Sequence, residues 1–258
     1  VHIGRFPARS STQVNTMVDK VIDFEKLALT QGLDFLNQAT FIASSDAGGM
    51  AEDTHDYVIS NWFVPAGMRI TRIWQSQGGS TSDITSAVNG GTVIVNYSGH
   101  GATTGWACVP FSQTNVRALS NLERYPFVVS NACVTGQYNQ TECFAETWVV
   151  EANKGATAFW GSSANTLWDE DDILERELWE AFWNESRYTL GAACDNALLG
   201  VYNYYGGGGY SRYYFECYNI MGDPSMDLWA TPPGDLAATH PASVFIGQSE
   251  LAVAVTSA

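Results

Sequence analysis

Apolar positions along this chain alternate between two rhythms. Over residues 12–31, Val14, Met17, Val18, Val21, Ile22, Leu27 and Leu29 recur at helical spacing, with Ser10 or Ser11 as the N-cap. Residues 40–44 form a short β-rich run that stops at Ser45-Asp46-Ala47-Gly48-Gly49. A helix is predicted over 52–64, a strand over 68–74, and a short helix over 81–88, closed by Asn89-Gly90-Gly91. Residues 92–97 are an apolar strand ending in Ser98-Gly99-His100-Gly101. Residues 112–120 are compatible with a helix. Residues 125–130 form the next apolar strand, which ends at Asn131-Ala132-Cys133. A helix over 143–152, a strand over 156–160 and an acidic amphipathic helix over 169–185 complete the regular pattern.

Near-continuous apolar strands separated by helices predict an α/β domain whose mostly parallel sheet is buried on both faces. In such sheets, sites collect at the carboxyl ends of the strands. The pattern shifts near Thr231-Pro232-Pro233-Gly234, so one domain is expected over 1–230 and a separate unit over 231–258. The tail carries two alternating segments, 242–246 and 251–256. They read either as a disordered terminus or as the first strands of a truncated β-sandwich (Ig-like) module. No repeat of 20–50 residues is present. The glycine run 206–209 lacks a dinucleotide or P-loop pattern.

Charge removes several classes of function. The 258 residues include 12 Lys+Arg against 27 Asp+Glu, a net charge of −15, which excludes a nucleic-acid binder held by phosphate contacts. The same balance opposes adsorption to an anionic membrane. With 45% hydrophobic and 15% charged residues, the chain has a real core to bury and is neither disordered nor a coiled coil. No run approaches the ~20 apolar residues of a membrane span. The start at Val1, with no basic-then-apolar leader, suggests a processed or excised piece of a longer protein. Five cysteines (Cys108, Cys133, Cys143, Cys194, Cys217) form no C-x-x-C pair, and their odd number leaves at least one thiol outside any intramolecular bridge.

Two residues concentrate the chemistry. His100 and Cys133 each follow an apolar strand, with Gly101 and Gly136 close behind. Neighbouring parallel strands ending together would bring an imidazole and a thiol to one sheet edge, as nucleophilic catalysis requires. The glycines beside His100 permit a sharp turn and leave an N–H for an oxyanion. Singly, each residue also fits a structural role, Cys133 as a core thiol and His100 as a loop histidine.

The segments Asn96-Tyr97-Ser98-Gly99-His100-Gly101 and 127–136 (F-V-V-S-N-A-C-V-T-G) closely resemble the gingipain family of caspase-like cysteine peptidases. Further resemblance lies in Val1-His2-Ile3-Gly4-Arg5-Phe6-Pro7-Ala8, in 82–91 (S-D-I-T-S-A-V-N-G-G), in Cys143-Phe144-Ala145-Glu146 and in Met221-Gly222-Asp223-Pro224-Ser225. Together these motifs span about 1–230. The resemblance implies a caspase-like (caspase-hemoglobinase) sandwich with helices flanking a mostly parallel sheet. It makes Cys133 the nucleophile and His100 its partner, with the backbone N–H groups of Cys133 and Gly101 as the oxyanion hole. The family's acid behind the histidine matches Asp46, although Asp replaces Glu and one residue is inserted before Gly48-Gly49. As a competing role, Asp46 caps a turn.

For the family's acidic S1 floor, alignment on His55 and the following Val58-Ile59 points to Glu52, with Asp53 adjacent. Such a carboxylate would pair with a substrate Arg or Lys. Both residues also suit the first turn of a helix. Trp168 falls where the family lines S1 with Trp, and Ser162 and Ser163 could add polar wall. The stretch Asp169-Glu170-Asp171-Asp172 reads as a solvated helix start or, by the resemblance, as ligands for a structural calcium. The chemistry itself requires no cofactor. The remaining cysteines read as structural thiols, with one or two disulfides admitted among them.

The implied function is a secreted or cell-surface bacterial cysteine endopeptidase that cuts proteins or peptides after Arg or Lys. Additional domains of the same precursor are expected partners; nucleic acid is not. A sortase-type transpeptidase would use the same dyad, and a non-catalytic caspase-like scaffold would not need it.

Overall fold

The computed structural model describes residues 1–27, 33–230 and 236–257. The strands in chain order are β1 (Gly4–Arg5), β2 (Gln38–Ala43), β3 (Arg69–Trp74), β4 (Ile94–Ser98), β5 (Gly101–Ala102), β6 (Gly105–Trp106), β7 (Phe111–Ser112), β8 (Phe127–Asn131), β9 (Ala158–Ser162), β10 (Tyr218–Met221), β11 (Leu236–Thr239) and β12 (Ala254–Ser257). The helices are α1 (Ser11–Glu25), α2 (Met50–Val58), α3 (Thr81–Gly90), α4 (Gln113–Arg117), α5 (Phe144–Val150), α6 (Trp168–Trp183), α7 (Leu190–Tyr205) and α8 (Gly209–Cys217).

Seven strands form one sheet in the order β1-β10-β9-β8-β4-β2-β3. All neighbours are parallel except β9 and β10. Side chains alternate between the two faces, as a pleated strand requires. Phe41, Phe127, Val129 and Trp160 enter one core with α2, α6, α7 and α8, while Ile42, Val95, Val128 and Phe159 enter the other with α3, α4 and α5. Double burial explains the continuous apolar strands. Register then sets up the site. Ala43 pairs with Ser98 and Ser98 with Asn131, so β2, β4 and β8 end level. The segments carrying Asp46, His100 and Cys133 leave the sheet together at that edge.

Local chemistry sets several boundaries. The Ser10 hydroxyl accepts the Gln13 N–H at 3.2 Å and caps α1. Ser80 and Asp83 form a capping box on α3. The predicted 52–64 helix is α2 continued by one wide turn over Ile59–Phe63. The last part of the predicted 12–31 helix, including Leu29, lies outside the described residues. Of the positions expected to face the core, Met17 and Val21 do, but Val14, Val18 and Ile22 are exposed.

The buried face of α1 instead includes Lys20, whose Nζ donates to the carbonyls of Trp148 (3.3 Å) and Val149 (3.0 Å) at the end of α5. Those carbonyls sit at the negative end of a helix, which suits a cation. Burial pushes Lys20 down to about 7, against the attraction of Glu151. An unfolded chain keeps this proton to about pH 10.4. Lys20 therefore makes stability fall as pH drops from about 10 toward 7. Lys20→Met is expected to flatten the melting-temperature profile between pH 7 and 10. An unchanged slope would refute this account.

Three elements escape the sequence pattern. The helices α7 and α8 follow residue 185, where no further helix is predicted. Gly191 and Gly200 look like breakers, but a Cβ at Gly200 would lie 2.2 Å from Glu177, and one at Gly191 would lie 2.4 Å from His2. They are points of close packing. The small sheet β5-β6-β7 follows His100 directly. In the tail, β11 pairs antiparallel with β12, and the predicted strand at 242–246 is absent. The described tail residues with assigned burial are exposed.

Candidate active site

At the level strand ends, backbone contacts weld the loops together. Ser44 N–H donates to the Ser98 carbonyl (2.9 Å), and Gly99 N–H to the Asn131 carbonyl (3.1 Å). A Cβ at Gly101 would sit 2.5 Å from the Cys133 carbonyl oxygen and 2.9 Å from Ala132 Cβ. Only glycine permits this approach, and it brings the residue after His100 against the backbone of Cys133. Val134 follows at φ +52°, an uncommon conformation for a β-branched residue. Its N–H to the Ala164 carbonyl (2.9 Å) holds the turn.

Cys133 is partly exposed, and among the described residues its Sγ hydrogen-bonds with Thr166. The Thr166 N–H donates to the sulfur at 3.3 Å, and the Thr166 carbonyl lies 3.7 Å from it as acceptor for the thiol. His100 Nε2 lies 3.4 Å from Asp46 Oδ2, and its ring meets Trp168 edge-on at 5.3 Å. Two residues absent from the sequence assignment clamp the His100 backbone. The Tyr97 hydroxyl donates to its carbonyl (2.7 Å), and its N–H points at Cys108 Sγ (3.1 Å). The ring of Tyr97 is itself stacked on Trp106 of β6. Asp46 also accepts the Ser44 hydroxyl at 3.0 Å. The structure thus gathers Cys133, Gly101, His100, Asp46 and Trp168. All five cysteines are free thiols, so the admitted disulfides do not form.

Glu52 is displaced from its expected place. Its carboxylate accepts the Ser76 N–H (3.0 Å) and hydroxyl (2.7 Å), tying α2 to the loop after β3. One residue on, a step of about 100° around the helix, Asp53 lines a cavity of about 580 Å³ with Ala47, Gly48, Asp169, Asp172 and Tyr205. Ala47 follows Asp46 and Asp169 follows Trp168, so the cavity adjoins the His100 side of the site. Asp172 is paired with Arg176 at 3.0 Å. Asp53 and Asp169 have no hydrogen bond or ion pair among the described residues. Ser162 is also reassigned. It is buried, and its hydroxyl is held by the Ala164 carbonyl (2.9 Å) and N–H (3.1 Å), so it shapes a turn and offers no free pocket wall.

The acids of α6 point to different partners. Asp169 faces the cavity and Asp172 pairs with Arg176. Glu175 is buried against His55 (3.2 Å), Asn96 (3.1 Å) and Asn131 (2.8 Å). Asp171 accepts the hydroxyls of Tyr214 (2.9 Å) and Tyr218 (2.8 Å). Burial pushes Asp171 up to about 7, against the pull of hydrogen bonds from Thr166, Tyr218 and Tyr214. Among the described residues, no three His, Cys, Asp or Glu side chains converge to hold a metal ion.

A thiol and an imidazole at level strand ends of a helix-flanked, mostly parallel sheet define the caspase-like α/β class of cysteine peptidases. The sequence model of peptidase family C25 matches residues 1–229, and the chain belongs to that family. Gingipain R2 of Porphyromonas gingivalis is 30% identical over 95% of this chain, and Lys-gingipain of the same organism is 29% identical over 93%. The chain spans 35% of the former and 13% of the latter. The crystal structure of the Arg specific cysteine proteinase gingipain R matches with a TM-score of 0.85 at 28% identity, covering 99% of this chain and 62% of that one. A complex of the pro- and mature domains of the Porphyromonas gingivalis protein RgpB matches with the same TM-score at 27% identity, covering 99% and 63%.

Proposed function

We propose that residues 1–230 are the catalytic domain of a secreted or cell-surface bacterial cysteine endopeptidase that cleaves after Arg or Lys. The observation that carries the reading is the seating of Gly101 on the Cys133 backbone, with His100 beside Asp46. The Cys133 thiol gives its proton to His100, and the sulfur attacks the scissile carbonyl carbon. The resulting oxyanion is received by the N–H groups of Cys133 and Gly101; that of Cys133 has no partner among the described residues. His100 returns the proton to the leaving amine, and the C–N bond breaks. Water, deprotonated by His100, then attacks the thioester and frees the acid and the thiol. Asp46, 3.4 Å from Nε2, orients the imidazole and supports its positive charge.

Basic specificity is supported by the unpaired Asp53 and Asp169 in the adjoining cavity and by relatives named for Arg and Lys. The substrates are proteins or peptides. A precursor with further domains fits the relative solved with its pro-domain. Among the described residues no helix is long and apolar enough to cross a membrane.

The test is a panel of reporter peptides with Arg, Lys, Asn or Asp before the scissile bond, with and without an added amine. Release of free acid after Arg and Lys is expected. Dominant capture by the amine would indicate a transpeptidase instead. No turnover of any peptide would leave only a scaffold.

A further inference from the structure

We propose that Asp171, with Tyr214 and Tyr218, is a positioning unit that sets Thr166 against the Cys133 sulfur. The inference rests on Cys133 being the nucleophile. The Thr166 backbone addresses that sulfur twice. Its N–H favours the negative sulfur, and its carbonyl accepts from the neutral thiol. Thr166 belongs to no helix or strand. It lies in the link between β9 and α6, so something outside the sheet must fix it.

The fixing groups come from α6, α8 and β10. The Tyr213 hydroxyl donates to the Asn165 carbonyl at 2.8 Å. Leu167 N–H donates to the Tyr214 hydroxyl at 3.0 Å, and that hydroxyl lies 2.9 Å from Asp171. The Thr166 side chain is also among the groups that favour the ionised Asp171 carboxyl. Tyr218, stacked on Tyr214 at 5.5 Å, supplies a further hydroxyl to the same carboxyl oxygen. Leu167 is therefore tied directly to this buried cluster, and Asn165 is held by the neighbouring Tyr213 of α8, so Thr166 is fixed from both sides. The Tyr214 hydroxyl has a single proton. Two acceptors are in reach of it, Asp171 at 2.9 Å and the Leu167 carbonyl at 3.1 Å; with Asp171 holding the proton, the oxygen lone pair stays aimed at Leu167 N–H.

Burying a carboxyl group with phenols is expensive, and apolar side chains of similar volume would hold the helices together as well. What they would not do is fix the direction of the 165–167 backbone. Buried, fully partnered polar networks impose that kind of geometric uniqueness. The cluster also links α8, through the 165–167 backbone, to the reacting sulfur.

The test is the rate of iodoacetamide alkylation, resolved by peptide mass spectrometry, in the full chain and in Asp171→Asn, Tyr214→Phe and Thr166→Val. Cys108, the other partly exposed thiol, is the internal reference. At pH 6, alkylation of Cys133 is expected to fall about fivefold to tenfold relative to Cys108, the loss of one hydrogen bond to a charged group. Peptide turnover should lose kcat with KM little changed. Tyr214→Phe removes one atom and keeps the ring, so it covers the case in which Asp171→Asn fails to fold. An unchanged Cys133-to-Cys108 ratio in folded Tyr214→Phe and Thr166→Val would overturn the proposal. If the ratio shifts but no peptide is cleaved by the parent chain, the peptidase reading fails and the positioning unit stands.

Discussion

Cys133→Ala is expected to lower kcat/KM on an Arg reporter peptide by at least about 10⁴-fold, while the melting temperature stays within about 2 °C. The rate falls because no other group can form the acyl intermediate. The fold is spared because Cys133 is partly exposed, and its sulfur's hydrogen bonds among the described residues are the two long ones with Thr166. His100→Ala should cost a similar factor, and the double variant should be no worse than either single one, since thiol and imidazole act as a unit. Asp46→Ala should cost less, about tenfold. Its carboxylate is half exposed and 3.4 Å from Nε2, so it orients the ring through a long, solvent-screened contact. Progress curves with active-site titration measure all four. A Cys133→Ala protein that retains more than about 1% of the parent rate would exclude Cys133 as nucleophile.

What could be read from the sequence follows from what produces a local pattern. The strands ending at Ala43, Ser98 and Asn131 are buried on both faces, so each appears as an apolar run that stops where the chain must turn. Position at a strand end then carried His100 and Cys133, and short distinctive motifs did the rest. Elements that depend on a partner left no such mark. The helix α7 contains Gly191 and Gly200 because α6 and the amino terminus press on it, and in one dimension close packing looks like helix breaking. The sheet β5-β6-β7 consists of two-residue strands, too short to show alternation. Thr166 acts through its backbone, which any residue supplies. Lys20 reads as a solvent-facing charge until the carbonyls at the end of α5 are placed beside it.

Glu52 and Asp53 show a related effect of packing, and their geometry gives the second large expected effect. Adjacent acids in a first helical turn are equivalent in sequence but point about 100° apart on the helix. Glu52 meets Ser76, and Asp53 meets the cavity. Of the three aspartates lining that cavity, Asp172 is already neutralised by Arg176, whose guanidinium also lies over Tyr57 at 4.1 Å. The carboxylates of Asp53 and Asp169 have no cationic partner among the described residues and line the cavity where a cation would enter. A guanidinium can bridge two carboxylates, whereas an ammonium meets them as a point charge. Replacing both by Ser is expected to lower kcat/KM for Arg peptides by about 10²–10³-fold, from two charge-assisted contacts at ~1.5–2 kcal/mol each. Lys peptides should lose less, and peptides with Gln or Met before the scissile bond should change by less than about threefold. Glu52→Gln should leave the Arg-to-Gln preference intact, since its carboxylate is engaged elsewhere. Paired kcat/KM measurements at low and high salt decide the matter. If Glu52→Gln erases the preference and the Asp53/Asp169 variant keeps it, the basic-residue pocket lies on the Ser76 side of α2.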